Sequence, residues 1–260
     1  MRMKLLILFF SNVFFQLISA QDLSKYERHV FTNRGDTLPY RMLLPENYDA
    51  SQKYPLILFL HGAGERGNDN EKQLIHGSKL FLQDSIRKNY QAIVVFPQCA
   101  ANSYWSNVHI KTTPDGTREF AFATSGKPSP DLELVINLIS YLKRNYSLDK
   151  KHFYVGGLSM GGMGTFELVR HKPKMFAAAF PICGGADPKT AGKLKKPSWW
   201  IFHGLKDDVV NPEFSKVMAA ALVDKGADLK LTLYPDANHN SWDSAFAEKD
   251  LFPWMFSKRR

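Results

Sequence analysis

Six short apolar runs with little polar alternation punctuate the chain, at residues 54–60, 92–97, 152–155, 177–180, 199–202 and 229–234. Runs of this length without a polar face predict strands buried on both sides, and hence a parallel sheet. Helical patterns fall between them, at 78–88, 131–145, 160–171, 213–225 and 244–256. In the second of these, Leu132, Leu134, Val135, Leu138, Ile139 and Leu142 form an apolar stripe at helical spacing. Residues 26–32 and 37–44 add an antiparallel pair joined by the turn Asn33-Arg34-Gly35-Asp36. Strands alternating with helices predict a doubly wound α/β fold. There are no internal repeats, low-complexity tracts or interdomain linkers, so residues 21–260 read as a single domain.

In such a sheet the chemistry gathers at the carboxyl ends of the strands. After residue 155 the chain reads Gly156-Gly157-Leu158-Ser159-Met160-Gly161, which places a serine between two glycines at G-x-S-x-G spacing. A strand enters this segment and a helix leaves it, the context of a nucleophile elbow. The reversal strains the serine backbone and crowds its neighbours, so glycines flank it. Ser159 is therefore the candidate nucleophile, and it needs a base within hydrogen-bond reach. Of the eight histidines, His239 is the one that follows the last strand and lies in a polar loop. His61 and His203 precede glycines in strand-end turns, where they are expected to shape the turn. The acid that orients the base is Asp207 or Asp208, in the loop after the 199–202 strand. An oxyanion hole needs two backbone N–H groups. Met160 supplies one and the His61-Gly62-Ala63-Gly64 turn the other, at Ala63. Glu65 and Arg66 follow directly and are expected to pair and brace the turn, the alternative being that Arg66 reaches an anionic substrate.

Composition changes the picture at the N-terminus. Arg2 and Lys4 precede an apolar stretch too short for a membrane span, and Ile18-Ser19-Ala20 offers a cleavage site. Residues 1–20 thus read as a signal peptide, which predicts a secreted or periplasmic protein without stable membrane insertion after cleavage. Its removal takes away two cations and no acid, so the formal net charge falls from +9 to +7. The cations are scattered, with only Lys193-Leu194-Lys195-Lys196 and Lys258-Arg259-Arg260 clustered, which reads as solvated surface, and no nucleic-acid module is visible. No metal-ligand spacing, phosphate loop or dinucleotide fingerprint competes with the serine, so no cofactor is expected.

Four motifs together carry a family resemblance: His61-Gly-Ala-Gly-Glu-Arg-Gly67, Gly157-Leu-Ser-Met-Gly161, His203-Gly-Leu-Lys-Asp207 and Asn238-His-Asn-Ser-Trp242. The chain resembles α/β-hydrolases of the esterase type, near the predicted-peptidase, carboxylesterase and feruloyl-esterase-like groups, from about Tyr26 to its C-terminus. The resemblance implies an α/β-hydrolase fold with a mostly parallel sheet and helices on both faces. It also implies a Ser159–His239–Asp207 triad, since the family's His-Gly-x-x-Asp-x-x-Val register selects Asp207 over Asp208. Residues 181–198, where many lipases carry a cap, are too few for a large one, which favours an ester on a bulky or polymeric partner. Feruloyl or acetyl esters of polysaccharides are the substrate class the resemblance suggests; a serine peptidase acting on short peptides is the alternative. The unpatterned stretch 100–130 should wall the pocket, with Trp105 and Trp242 the candidates to hold an aromatic or sugar group. The family's sheet order puts the strands before Cys99 and Cys183 three spacings apart, about 14 Å, too far for a disulfide.

Overall fold

The computed structural model describes residues 22–116 and 118–260; the signal segment at 1–20 lies outside the described residues. Eight strands form the main sheet: β1 (Glu27–Asn33), β2 (Asp36–Leu43), β3 (Tyr54–Leu60), β4 (Ile93–Pro97), β7 (Leu148–Leu158), β8 (Ala178–Ile182), β9 (Ser198–Gly204) and β10 (Leu229–Tyr234). β5 (Val108–Thr112) and β6 (Arg118–Phe122) pair separately as an antiparallel hairpin. The sheet order is β1-β2-β4-β3-β7-β8-β9-β10. From β4 to β10 every pairing is parallel, and the β1–β2 pair joins antiparallel at one edge.

The apolar runs are unalternating because both faces are covered. In β3, Leu56, Leu58 and Leu60 point into one core layer and Ile57 and Phe59 into the other. The first layer lies under α3 (Pro130–Asn145), α4 (Met160–His171), α5 (Ala191–Leu194) and α6 (Glu213–Asp224). The second lies under α1 (Ser78–Phe81), α2 (Asp84–Asn89), α7 (Trp242–Phe246) and α8 (Leu251–Ser257). Ser129 caps α3 by accepting from the Leu132 N–H, and Pro130 sits in its first turn, where no donor is lost. No helix among the described residues is long and apolar enough to cross a membrane.

The structure departs from the pattern in three places. The helix read at 78–88 breaks at Gln83, whose backbone is extended. Leu80, Phe81 and Leu82 are all buried, and three consecutive residues cannot share one helix face. The helix read at 244–256 splits into α7 and α8. Pro253 fits the first turn of α8, but within a continuous helix its ring would collide with the carbonyl four residues back. The stretch 100–130 contains the β5–β6 hairpin, whose half-exposed strands leave little periodic signal. Cys99 and Cys183 are buried free thiols beyond β4 and β8, three strand positions apart.

One close approach sets the geometry of the sheet's carboxyl edge. Gly161, in the first turn of α4, lies so near the end of β3 that an added methyl would overlap the Leu60 carbonyl group. Gly192 in α5 has open space around it. Gly161→Ala should therefore destabilise the fold by about 1–3 kcal/mol, while Gly192→Ala stays within about 0.5 kcal/mol of wild type. Urea unfolding of the two variants tests this, and equal midpoints would refute it.

Candidate active site

Ser159 stands between β7 and α4 with φ 52° and ψ −115°, a left-handed conformation that costs a non-glycine residue free energy. The surroundings hold it there. Its N–H donates to the Ile182 carbonyl at the end of β8 (2.9 Å), and its carbonyl accepts from the Met163 N–H (3.0 Å). The strained turn lifts the side chain off the strand, and Ser159 Oγ lies 3.0 Å from His239 Nε2. His239 Nδ1 faces Asp207 Oδ2 at 2.8 Å. The carboxylate can only accept, so Nδ1 carries the proton and Nε2 is left to accept the serine hydroxyl. The three residues come from three strand ends, after β7, β9 and β10.

Asp207 is the hub of this edge. Its Oδ1 accepts the N–H groups of Val209 and Val210, each at 2.9 Å. Its Oδ2 faces both His239 and His203 Nε2 (3.1 Å). Burial pushes the carboxyl up, but the hydrogen bonds from His203, His239 and Val210 outweigh burial and hold it well below the usual carboxylate range. His203 is itself fully buried. Its Nε2 faces two acceptors, Asp207 Oδ2 and the Val210 carbonyl (2.9 Å), and so bears a proton, while Nδ1 lies 2.7 Å from Ser215 Oγ. Asp208 is exposed, and among the described residues its side chain makes no contact with His239, while its N–H donates to Asn238 Oδ1 (3.2 Å).

The histidine loop is clamped onto the acid loop through main-chain contacts. The Leu205 and Lys206 N–H groups donate to the carbonyls of Tyr234 (2.9 Å) and Ala237 (3.0 Å). A side chain at Gly204 would overlap the carbonyls of Ala237 and Asn238. Asn238 Oδ1 also takes the His239 N–H at 2.7 Å.

Ala63 and Met160 share a feature that suits them to an anion. Met160 is the first residue of α4, and Ala63 opens the short 3-10 turn Ala63–Glu65, so neither N–H has a partner within its own helical turn. The two turns touch, because Gly62 lies against Leu158 and Gly161 against Leu60 and His61. The Ala63 turn is pinned from behind. His61 Nε2 accepts the Cys99 N–H (2.9 Å), and burial pushes this imidazole down to about 4, which keeps it neutral. Gln98 Nε2 donates to the Glu65 carbonyl (3.2 Å).

Two expectations are corrected. Trp105 is fully buried, and its indole N–H donates to the His61 carbonyl at 3.1 Å, so it supports the Ala63 turn and offers no surface to a substrate. Glu65 and Arg66 do not pair. Arg66 braces the turn by donating to the carbonyls of Ala63 (3.0 Å) and Ser103 (3.2 Å), while Glu65 faces His76 at 3.8 Å. Trp242 remains at the site, half-buried and edge-on to His239 with ring centroids 5.5 Å apart.

Sequence reasoning missed two contributors. His203 was assigned to turn shaping, but it is also the second partner of Asp207. Phe214 packs edge-on against Phe120 and Phe122 of the hairpin, at 5.7 and 5.5 Å. That cluster abuts Gly185, and the adjacent Gly184 lies against Gly162 in the first turn of α4. The hairpin's Phe120 and Phe122 were visible in the sequence; the pairing with Phe214 joins segments some ninety residues apart and leaves no local signal.

Among the described residues, Cys183, Asp207 and His239 lie close enough together to share a metal ion. They fit one poorly. Asp207 and His239 are already engaged with each other, and burial followed by the Asp207 charge pushes the Cys183 thiol far up, which keeps it protonated.

The chain is similar to known esterases in sequence and fold. The family model described as "Putative esterase" matches residues 33–249. The bifunctional acetylxylan esterase/xylanase XynS20E of Neocallimastix patriciarum is 35% identical over 158 residues, 60% of this chain and 20% of that protein. Probable feruloyl esterase C of Aspergillus oryzae is 24% identical over 173 residues, 66% of this chain and 55% of its own length. The chain thus spans about a fifth and about half of these curated relatives. Among solved structures, a thermostable esterase superposes with a TM-score of 0.80 at 32% identity, covering 91% of this chain and 64% of the other. The CE1 ferulic acid esterase AmCE1/Fae1A of Anaeromyces mucronatus, solved with ferulic acid, gives 0.64 at 17% identity, covering 87% and 89%, a likeness of fold alone.

Neighbouring acids make a sharp comparison. Asp207→Asn should lower kcat on a p-nitrophenyl ester by about 10⁴-fold, and Asp208→Asn by no more than about twofold. Because the folded state depresses the Asp207 pKa, its ionisation stabilises the fold above about pH 4 and that contribution is lost as the pH falls further. The gap in unfolding free energy between wild type and Asp207→Asn should accordingly narrow below about pH 4. A gap that widens on acidification would contradict this.

Proposed function

The chain belongs to the esterase family, and from that premise we propose that it is an exported serine carboxylesterase, with residues 1–20 a signal peptide and 21–260 the catalytic domain. The observation that carries the reading is His239, whose two ring nitrogens bridge Ser159 Oγ and Asp207 Oδ2.

In the proposed reaction, Ser159 Oγ attacks the ester carbonyl carbon as its proton passes to His239 Nε2. The carbonyl π electrons move onto oxygen, and the N–H groups of Ala63 and Met160 stabilise that charge. Asp207 keeps the imidazole oriented and stabilises the imidazolium without taking its proton. When the tetrahedral intermediate collapses, the bond to the alcohol oxygen breaks and His239 protonates the leaving alcohol. Water then attacks the acyl-enzyme, His239 accepts the water proton, and the same proton returns to Ser159 as the carboxylic acid departs. Asp207 remains ionised throughout.

Feruloyl or acetyl esters on polysaccharide are the substrate class we favour. The matched relatives named as acetylxylan and feruloyl esterases support it, as do Trp242 beside His239 and the Phe120–Phe122–Phe214 cluster. The segment between β8 and β9 holds only short helical turns, which leaves an attached polymer room to approach.

A fluorophosphonate probe should label the wild-type protein at Ser159 and fail to label Ser159→Ala. In parallel assays, p-nitrophenyl acetate and methyl ferulate should be hydrolysed, and the matching anilides far more slowly. Equal turnover of ester and amide would favour the peptidase reading, and unchanged ester hydrolysis by Ser159→Ala would sink the triad assignment.

A further inference from the structure

The end of the sheet opposite Ser159 carries a second concave site. β7 runs toward the serine and α4 runs back from it, so the start of β7 and the exit of α4 lie together at the far edge. A helix of twelve residues separates them from Ser159 by about 18 Å. There Lys143, Lys150, Lys172, Lys174 and Arg260 line a cleft of about 300 Å³. Phe153, Pro173 and Met175 give it an apolar lining.

Among the described residues, none of the four lysines has a carboxylate within ion-pair distance, whereas Lys72, Lys206, Lys216 and Lys258 elsewhere on the surface each do. The nearby acids are engaged: Glu167 with Arg170 and His171, and Asp149 with His152. Burial first, and then the charges of Lys150, Arg260 and Lys172, push the Lys143 ammonium down. The Arg260 backbone N–H donates to the Lys151 carbonyl (3.0 Å) and its guanidinium to the Lys174 carbonyl, which fixes this cation at the rim. An anion seated here would relieve the repulsion.

We propose that this cleft binds an acidic sugar residue of a polysaccharide, its carboxylate among the lysines and the C–H face of its ring against the apolar lining. It would anchor the enzyme to the polymer whose ester is cleaved, and so rests on the polysaccharide-ester reading above. The size of the cleft suits one sugar ring. Of the rings in its lining, Phe153 is buried in the core and His171 is largely buried against Glu167, so neither is exposed to stack a nucleobase, which disfavours single-stranded nucleic acid. A carboxylated polymer held here and an ester bond held at Ser159 would act together through effective concentration.

Titration calorimetry of the full chain with a galacturonic acid trimer tests the proposal. Lys172→Ala/Lys174→Ala should bind the trimer more weakly by on the order of tenfold. Wild-type affinity should fall as salt rises from about 0.05 to about 0.2 M, and neutral xylotriose should not bind. Hydrolysis of p-nitrophenyl acetate should be the same in both proteins, since neither lysine lies near the triad. Equal trimer affinity in wild type and variant overturns the proposal, as does inorganic phosphate or a DNA oligonucleotide binding as tightly as the trimer. Wild-type ester hydrolysis is read in a separate assay, so failure of the esterase reading appears as missing turnover and failure of this one as missing saccharide binding.

Discussion

The contact between Gly161 and the last carbonyl of β3 is the constraint on which the rest of the site depends. It is an approach of backbone to backbone, closer than any side chain permits. It sets where α4 begins relative to the loop that follows β3. The first N–H of α4 and the first N–H of the Ala63 turn are thereby brought to one place, and both lack partners within their own turns. Backbone donors cannot be moved by changing a side chain, so their position is only as good as this packing. The positive φ of Ser159 follows from the same requirement: the chain must leave the strand and start a helix within one residue, and the hydrogen bonds to Ile182 and Met163 hold that conformation. Trp105, His61 and Gln98 support the other side of the contact.

Electrostatics organises the second half of the site. Asp207 is buried, and an ionised buried carboxylate is tolerable only when hydrogen bonds replace its lost water. Two backbone N–H groups and two histidines do so here. These partners tie the strand-end loops after β9 and β10 into one unit, so the group that orients His239 also joins the loops that carry it. His203 matters in this account because it holds the same Asp207 oxygen that faces His239.

The strands and the elbow were legible because their signals are local. An unalternating apolar run reports two covered faces, and glycines at fixed offsets from Ser159 report a crowded turn. The acid was legible only through the register of a family motif, since Asp207 and Asp208 are adjacent and differ in what they meet across space. Trp105 misled because an aromatic residue in an unpatterned loop looks the same whether it faces a pocket or fills the core; its contact with His61 lies forty-four residues away. Phe214 was overlooked for the same reason. The two helix breaks turn on steric facts that periodicity averages over, namely Pro253 and three consecutive buried residues at Leu80–Leu82.

The parallel sheet also gives the molecule a direction. The helices packed on it begin at the edge that holds Ser159 and end at the other, so unpaired N–H groups collect where the proposed oxyanion would form and unpaired carbonyls collect opposite. Cations near helix C-termini are a common response to that polarity, and Lys143 in the last turn of α3 and Arg170 in the last turn of α4 follow it. The response accounts for those residues but not for the whole basic cleft. Lys172, the C-cap of α4, shares that explanation, but Lys150 sits on a strand, Lys174 lies in the turn beyond the helix, and Arg260 is held by main-chain carbonyls rather than by a helix end. Arg170 has its own carboxylate in Glu167, whereas the lysines of the cleft have none. The dipole effect fades within a turn of the helix end. The charge that helix ends do not explain, set in a partly apolar cleft, is what the proposed anion carried on a ring would answer.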